Sequence, residues 1–196
     1  MRDITLEWER SVKQIPFRYF YSHSGLRDDE CEIILSWLEN EAPWKRVTTY
    51  FYEQYEFHLQ DANLKDDLKF LIEDDFISNL RKYIETYFPS FALSSKVDVV
   101  AHKLIDGDTI GIHNDYIEDC ETHRILFNFN RGWTEDNGGF FMVFSENNPE
   151  ALTDLILAQH GHVHGFEISP YSHHAVSKVN QGDRYNIIYS FYKRTS

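Results

Sequence analysis

Apolar positions in the first half of the chain recur at helical spacing. Asp28, Asp29 and Glu30 open a run in which Ile33, Ile34, Trp37 and Leu38 share one helical face, and Pro43 stops it. A second helix is predicted over 64–88, where Leu68, Leu71, Ile72, Phe76, Leu80, Ile84 and Phe88 form a broad apolar stripe that ends at Pro89. Residues 47–58, between them, are rich in β-branched and aromatic side chains and read as a strand or hairpin. From about residue 96 short apolar runs alternate with Gly, Asn and Asp clusters. Strands are predicted over 97–105, 109–113, 124–130, 140–144, 163–168, 174–179 and 184–192. Helices followed by many short strands predict an α+β fold, a jelly roll with N-terminal helices buttressing one face. The length suits one domain over residues 1–196, with 1–95 mainly helical support and 96–193 the β core.

The formal net charge of -13 disfavours a nucleic-acid partner, because such a surface repels phosphate backbones. No apolar run approaches the roughly 18 residues needed to span a bilayer, and residues 1–7 lack the basic and apolar pattern of a secretory signal. Cys31 and Cys120 lie far apart with no CxxC spacing. These features predict a reduced, cytoplasmic protein without a membrane partner. Oligomeric state is left open.

Three pieces of sequence carry chemistry. His113 and Asp115 fall at the end of a predicted strand, where residues i and i+2 share a face and can meet one metal ion. His174, in a later strand, adds a second imidazole. Two histidines and a carboxylate make the facial set that holds iron(II) with three positions open. Arg184 follows His174 by ten residues. Its guanidinium fork suits a buried carboxylate. If 180–182 is a three-residue hairpin loop, with Gly182 supplying a left-handed residue, His174 and Arg184 point to the same face and Asn186 joins them. Each residue alone has an ordinary reading: a solvated turn, a sheet histidine, a surface arginine. Their combination carries the inference.

In order and spacing these stretches resemble the prolyl-4-hydroxylase-like branch of the iron(II)/2-oxoglutarate-dependent oxygenases. The resemblance rests on Gly107-Asp108 before His113-x-Asp115, on the run Arg124 to Trp133, on Gly138-Gly139, and on His174, Val176, Val179, Gly182, Arg184 and Tyr185. It covers roughly residues 97 to 192. It implies a double-stranded β-helix, a metal site of His113, Asp115 and His174, and 2-oxoglutarate bound by Arg184 with Asn186. Where relatives place pocket tyrosines this chain has Lys103 or Leu104, Ile110 and Asn128, and Asn128 can supply a hydrogen bond to 2-oxoglutarate instead. The implied cofactors are Fe(II), 2-oxoglutarate and O2, with ascorbate as a candidate reductant. The implied activity is hydroxylation of an unactivated C–H bond in an amino-acid, peptidyl (prolyl included) or natural-product substrate, releasing succinate and CO2. Desaturation or ring closure by the same class, and a non-catalytic cupin-like binding module, are the alternatives.

Other histidines compete for attention. His160, His162 and His164 would share a face of a strand, but no carboxylate or cysteine accompanies them at ligand spacing. They read as a loop entering a strand near the substrate mouth. His173 neighbours His174 but points the other way. His102 and His123 read as sheet histidines, Trp133 as packing near Gly138-Gly139, and Asp108 as a turn residue.

Overall fold

The computed structural model describes residues 12–49, 52–88, 92–118 and 120–194. Its elements are β1 (Tyr19–His23), α1 (Asp28–Asn40), β2 (Lys45–Thr48), β3 (Glu53–His58), α2 (Asp74–Tyr87), β4 (Leu93–Leu104), β5 (Ile110–His113), β6 (Glu121–Asn128), β7 (Phe141–Phe144), β8 (Leu152–Ile156), β9 (His162–Glu167), β10 (His174–Val176) and β11 (Arg184–Lys193). The strands form two antiparallel sheets. The larger has the order β1-β9-β6-β11-β4-β3-β2, and the smaller β5-β10-β7-β8. Two facing sheets with this chain path make the expected jelly roll.

Strand parity divides the larger sheet into two faces. Ala101, Ile187, Phe127 and Val163 lie side by side in register, and all belong to the core shared with Ile34 and Leu38 of α1 and Phe76 and Leu80 of α2. Phe76 packs against Phe127 and Tyr189, with ring centroids 5.9 and 5.7 Å apart. The helices therefore buttress this outer face. The alternate residues turn inward, where Leu126, Phe166 and Ile188 meet Phe141 and Val143 of the smaller sheet.

Several boundaries differ from expectation. The predicted helix over 64–88 is shorter: two 3-10 turns, Leu59–Asp61 and Lys69–Ile72, precede α2. Asp74 and Asp75 sit in the first turn of α2, where carboxylates favour a helix start. The first half is also less helical than its periodicity suggests, because β1, β2 and β3 all join the larger sheet. β1 and β8 were not anticipated. Pro89, read as the stop of the second helix, lies outside the described residues, as does the 1–7 segment. Among the described residues no helix is long and apolar enough to cross a membrane.

Candidate functional site

His113 ends β5 and His174 opens β10, and the two are direct register partners. Paired residues of neighbouring strands share a face, so both imidazoles turn into the space between the sheets, with ring centroids 4.2 Å apart. Asp115 arrives differently from the expected i, i+2 strand geometry. It lies beyond β5 with φ of 56°, a left-handed conformation that aspartate tolerates better than most residues. The loop is pinned beside His174: Asn114 Nδ2 donates to Pro170 O at 3.1 Å, and Ser172 Oγ donates to Asn114 O at 3.1 Å. The left-handed turn swings the carboxylate back over the imidazoles, with Asp115 Oδ2 3.0 Å from His174 Nε2 and Oδ1 3.5 Å from His113 Nε2.

The ligand-capable atoms of His113, Asp115 and His174 lie within 4.8 Å of one another, and this is the one such group among the described residues. Both Nδ1 atoms are committed to backbone carbonyls, His113 to Gly111 O at 2.8 Å and His174 to Ser172 O at 2.7 Å. A carbonyl only accepts, so Nδ1 of each ring carries a proton, and the two Nε2 atoms are the ones turned toward Asp115. With a divalent cation bound, each Nε2 would offer it a lone pair beside the carboxylate. Burial, with His174 nearby, pushes His113 down to about 4, so this imidazole is neutral and ready to ligate at physiological pH. Burial opposes the charge on Asp115, but Arg124 and the two imidazoles outweigh it and hold the carboxyl below the usual range.

The sequence assigns Arg124 no role at the site; it only opens a predicted strand and the run Arg124 to Trp133. Its Nη1 donates to Asp115 Oδ2 at 2.7 Å, while Nε and Nη2 clasp Glu121 at 2.7 and 2.9 Å. Arg124 thus orients the carboxylate and draws its own countercharge from Glu121. We expect Arg124→Gln to weaken iron(II) binding by about ten- to a hundredfold, as losses behind metal ligands typically do. Metal titration of the folded variant checks this, and unchanged affinity would make Arg124 a packing residue.

Arg184 opens β11 opposite Leu104 of β4 and is 3% exposed. Its Nε donates to Gly139 O at 2.8 Å. The approach is close: a Cβ on Gly139 would lie 2.8 Å from Arg184 Cδ, and Gly139 has φ of +64°. A side chain there is excluded both by strain and by the arginine itself. Among the described residues no carboxylate pairs with Arg184. Burial alone lowers its pKa, to about 10, so it remains charged. A buried cation without a counter-ion is costly unless an anion joins it.

Both arginines and the His-Asp-His group line one cavity of about 330 Å³, with Leu104, Ile110, Val176 and Phe141 as its apolar walls. Residues 174 and 184 do reach a common space, but not through the expected hairpin. β10 belongs to the smaller sheet and β11 to the larger, and seven residues separate them. They face each other across the cavity rather than pairing. Gly182 does take a left-handed conformation, φ +83°.

Asn186 lines the cavity and pairs in register with Asn128. Asn128 lies deeper and donates to His164 Nδ1 at 3.2 Å, and both asparagine Oδ1 atoms lack a hydrogen-bond partner. Leu104, not Lys103, faces the cavity: Lys103 turns outward over Tyr55 and Trp44. The histidine tract scatters. His160 approaches Glu32 at 3.3 Å, His162 stacks on Tyr21 at 5.2 Å, and His164 is buried against Phe141 at 4.6 Å. None of the three lines the cavity, so the expected place at a substrate mouth is not where they lie. His173 stays out of the triad and lines a second groove, which His113 and Asp115 border from their other side. His102 is more than a sheet histidine, since it lines the cavity, whereas His123 is buried against Phe88. Trp133 is buried and donates to Gly138 O at 3.0 Å, and Asp108 Oδ2 caps a turn by accepting from Ile105 N at 2.9 Å.

Comparison with known proteins agrees with this geometry. Residues 99–191 match the profile of the 2OG-Fe(II) oxygenase superfamily. No curated protein matches the chain. A prolyl-4-hydroxylase from Pseudomonas putida superposes with a TM-score of 0.73 at 14% identity, covering 90% of this chain and 93% of that one. A Trichoplax adhaerens prolyl hydroxylase, solved with a hypoxia inducible factor oxygen degradation domain peptide fragment, gives 0.73 at 13% identity over 89% and 83% of the two chains. The viral collagen prolyl hydroxylase of Paramecium Bursaria Chlorella virus-1, in complex with 2OG, gives 0.62 at 13% identity over 90% and 96%. At these identities the likeness is one of fold.

Proposed function

Taking residues 99–191 as a segment of the 2OG-Fe(II) oxygenase superfamily, we propose that the chain is a single-domain iron(II)- and 2-oxoglutarate-dependent hydroxylase, with His113, Asp115 and His174 as metal ligands and Arg184 as the anchor of 2-oxoglutarate. The observation that carries this reading is the pairing of two unmet demands in one cavity. Two imidazole Nε2 atoms and a carboxylate converge in it. A buried guanidinium without a carboxylate partner among the described residues lines it as well. A metal ion answers the first and the distal carboxylate of a 2-oxo acid the second.

When bound, the metal and 2-oxo acid supply the means to activate dioxygen against an unactivated C–H bond, with succinate and CO2 as by-products. The protein's own residues do the rest. His113 and His174 are fixed in orientation through their Nδ1 bonds. Arg124 holds Asp115 in place. Arg184 would hold the distal carboxylate of the cosubstrate, and Asn186, which lines the same cavity, would be available to it. Leu104, Ile110, Phe141 and Val176 line the cavity with apolar surface, which disfavours water there. The substrate is an amino acid, a peptidyl residue or a small natural product. The free thiols of Cys31 and Cys120 suit a cytoplasmic setting.

Succinate release in the presence of iron(II), 2-oxoglutarate and pools of amino acids and peptides tests the proposal. Release that depends on all three supports it, and failure of the metal-loaded protein to bind 2-oxoglutarate overturns it. Because Asp115 would fill a metal position that a halide would otherwise need, product made in chloride or bromide buffer is expected to be hydroxylated. Mass spectrometry reads the outcome, and a halogenated main product would contradict the role given to Asp115.

A further inference from the structure

The cavity extends beneath β4 to β3. Gln54, Glu56 and His58 alternate along β3, the spacing that puts side chains on one face, and all three line the cavity together with Tyr52. Tyr52 connects this side to the triad, because its backbone bridges to Ile110 at the start of β5. Burial raises the Tyr52 hydroxyl, and Glu56, Arg124 and Asp115 all act on it, as they do when a ring lies between them.

Four charged side chains apart from histidines line the cavity: Glu56, Asp115, Arg124 and Arg184. Asp115 and Arg124 pair with each other, and Arg124 also holds Glu121. Arg184 is taken by the cosubstrate in the reading above. Glu56 remains, and its neighbours are neutral. Gln54 Nε2 donates to Glu56 Oε2 at 2.6 Å, and His102 Nε2 stands 3.8 Å away. Burial and the two arginines push His102 down to about 3, so it brings no charge. Lys45, the register partner of Glu56 on β2, is exposed and forms no ion pair with it. The Glu56 side chain is 28% exposed, which leaves it partly dehydrated. This carboxylate is oriented by a neutral amide and unmatched by any cation among the described residues, in the same cavity as the metal-ligating group.

We propose that Glu56, held by Gln54, anchors a cationic group of the substrate, a primary ammonium or a guanidinium. The inference rests on the oxygenase reading and narrows its substrate to a basic amino acid or a lysyl or arginyl side chain of a peptide. The opposite signs of Arg184 and Glu56 then sort the two ligands: the dianionic cosubstrate to Arg184 and the cation to Glu56. A like-charged swap would place a carboxylate against Glu56.

The test uses the full chain loaded with zinc, which cannot turn over, and with 2-oxoglutarate. Calorimetric titration compares L-lysine, L-arginine and L-ornithine with the neutral L-norleucine and L-citrulline. A second arm compares Gly-Lys-Gly and Gly-Arg-Gly with Gly-norleucine-Gly, and so separates free from peptidyl sources. At least one cation is expected to bind about tenfold or more tighter than its neutral counterpart. Glu56→Gln keeps the shape and removes the charge, and should erase that preference with a loss of about ten- to a hundredfold. Glu56→Lys should turn the preference toward L-glutamate. Cations that bind no better than neutral partners in either arm, or a preference that survives Glu56→Gln, would overturn the inference. The titration of 2-oxoglutarate itself separates the two levels. If the zinc-loaded wild type does not bind it, the oxygenase reading fails; if it binds and the cations show no preference, only the assignment of Glu56 fails.

Discussion

In the His174→Ala variant, substrate-dependent succinate release is expected to fall by roughly a thousandfold or more, as loss of a metal worth several kcal/mol to the reaction implies. Loss of one of the three proposed ligands leaves His113 and Asp115, which Gly111 and Arg124 hold independently of the His174 side chain. The site's frame therefore persists while its metal affinity does not. His174 also packs between Phe166 and Phe141, with ring centroids 4.5 and 5.3 Å away, so some thermal destabilisation accompanies the change. A melting curve and a metal titration distinguish the two effects. A folded variant that binds iron(II) and turns over near the wild-type rate would remove His174 from the site, and with it the facial arrangement.

Arg184→Lys is expected to raise the 2-oxoglutarate requirement by about ten- to a hundredfold, with much less change in iron affinity. Lysine keeps the charge but loses the planar fork, and a charge-assisted hydrogen bond contributes about 1.5–3 kcal/mol. Lysine also has no counterpart to Nε, which holds Gly139 O at 2.8 Å. Arg184→Ala should be worse, since the distal carboxylate would then meet no arginine except Arg124, which Asp115 and Glu121 already hold. Titration of the metal-loaded variants with 2-oxoglutarate reads both effects. If 2-oxoglutarate affinity were unchanged while iron binding weakened, Arg184 would be a support of the metal region and the cosubstrate would lie elsewhere. Gly139 gives an independent check on the same geometry, because any side chain there collides with Arg184 Cδ.

Much of this was legible in the residues themselves. The texture change near residue 96 marks where the sheets dominate, because short strands with turn residues between them carry a period that helices lack. The helix over 28–40 is legible because its acidic start and apolar stripe are both local signals. The set of His113, Asp115, His174 and Arg184 is legible from residue type and order. A metal demands particular donors and a buried dicarboxylate demands a cation, whatever fold supplies them.

The geometry behind that set belonged to the tertiary structure. Same-face arguments from a strand and a hairpin reached residues that do share one cavity, but by a route the structure does not follow. Asp115 reaches the triad through a left-handed turn beyond β5, and Arg184 reaches the cavity from a different sheet than His174. Parity along one chain describes only neighbours within one sheet, whereas this site is made where two sheets face each other. Arg124 and Glu56 were passed over for a related reason. Each lies on an otherwise ordinary strand, and only the partners brought by the fold, Asp115 and Glu121 for one and neutral Gln54 and His102 for the other, make its charge meaningful. β1 shows the same limit in the scaffold: a five-residue strand has little local signal and is placed by its pairing with β9, more than 130 residues away in sequence. By itself, then, the sequence determined the donor set and the sheet-rich half, because chemistry and periodicity are local properties. Which charges are paired, which face inward and which are left for a ligand was decided only by the packing of one sheet against the other, because a charge has no counter-ion until the fold supplies or withholds one.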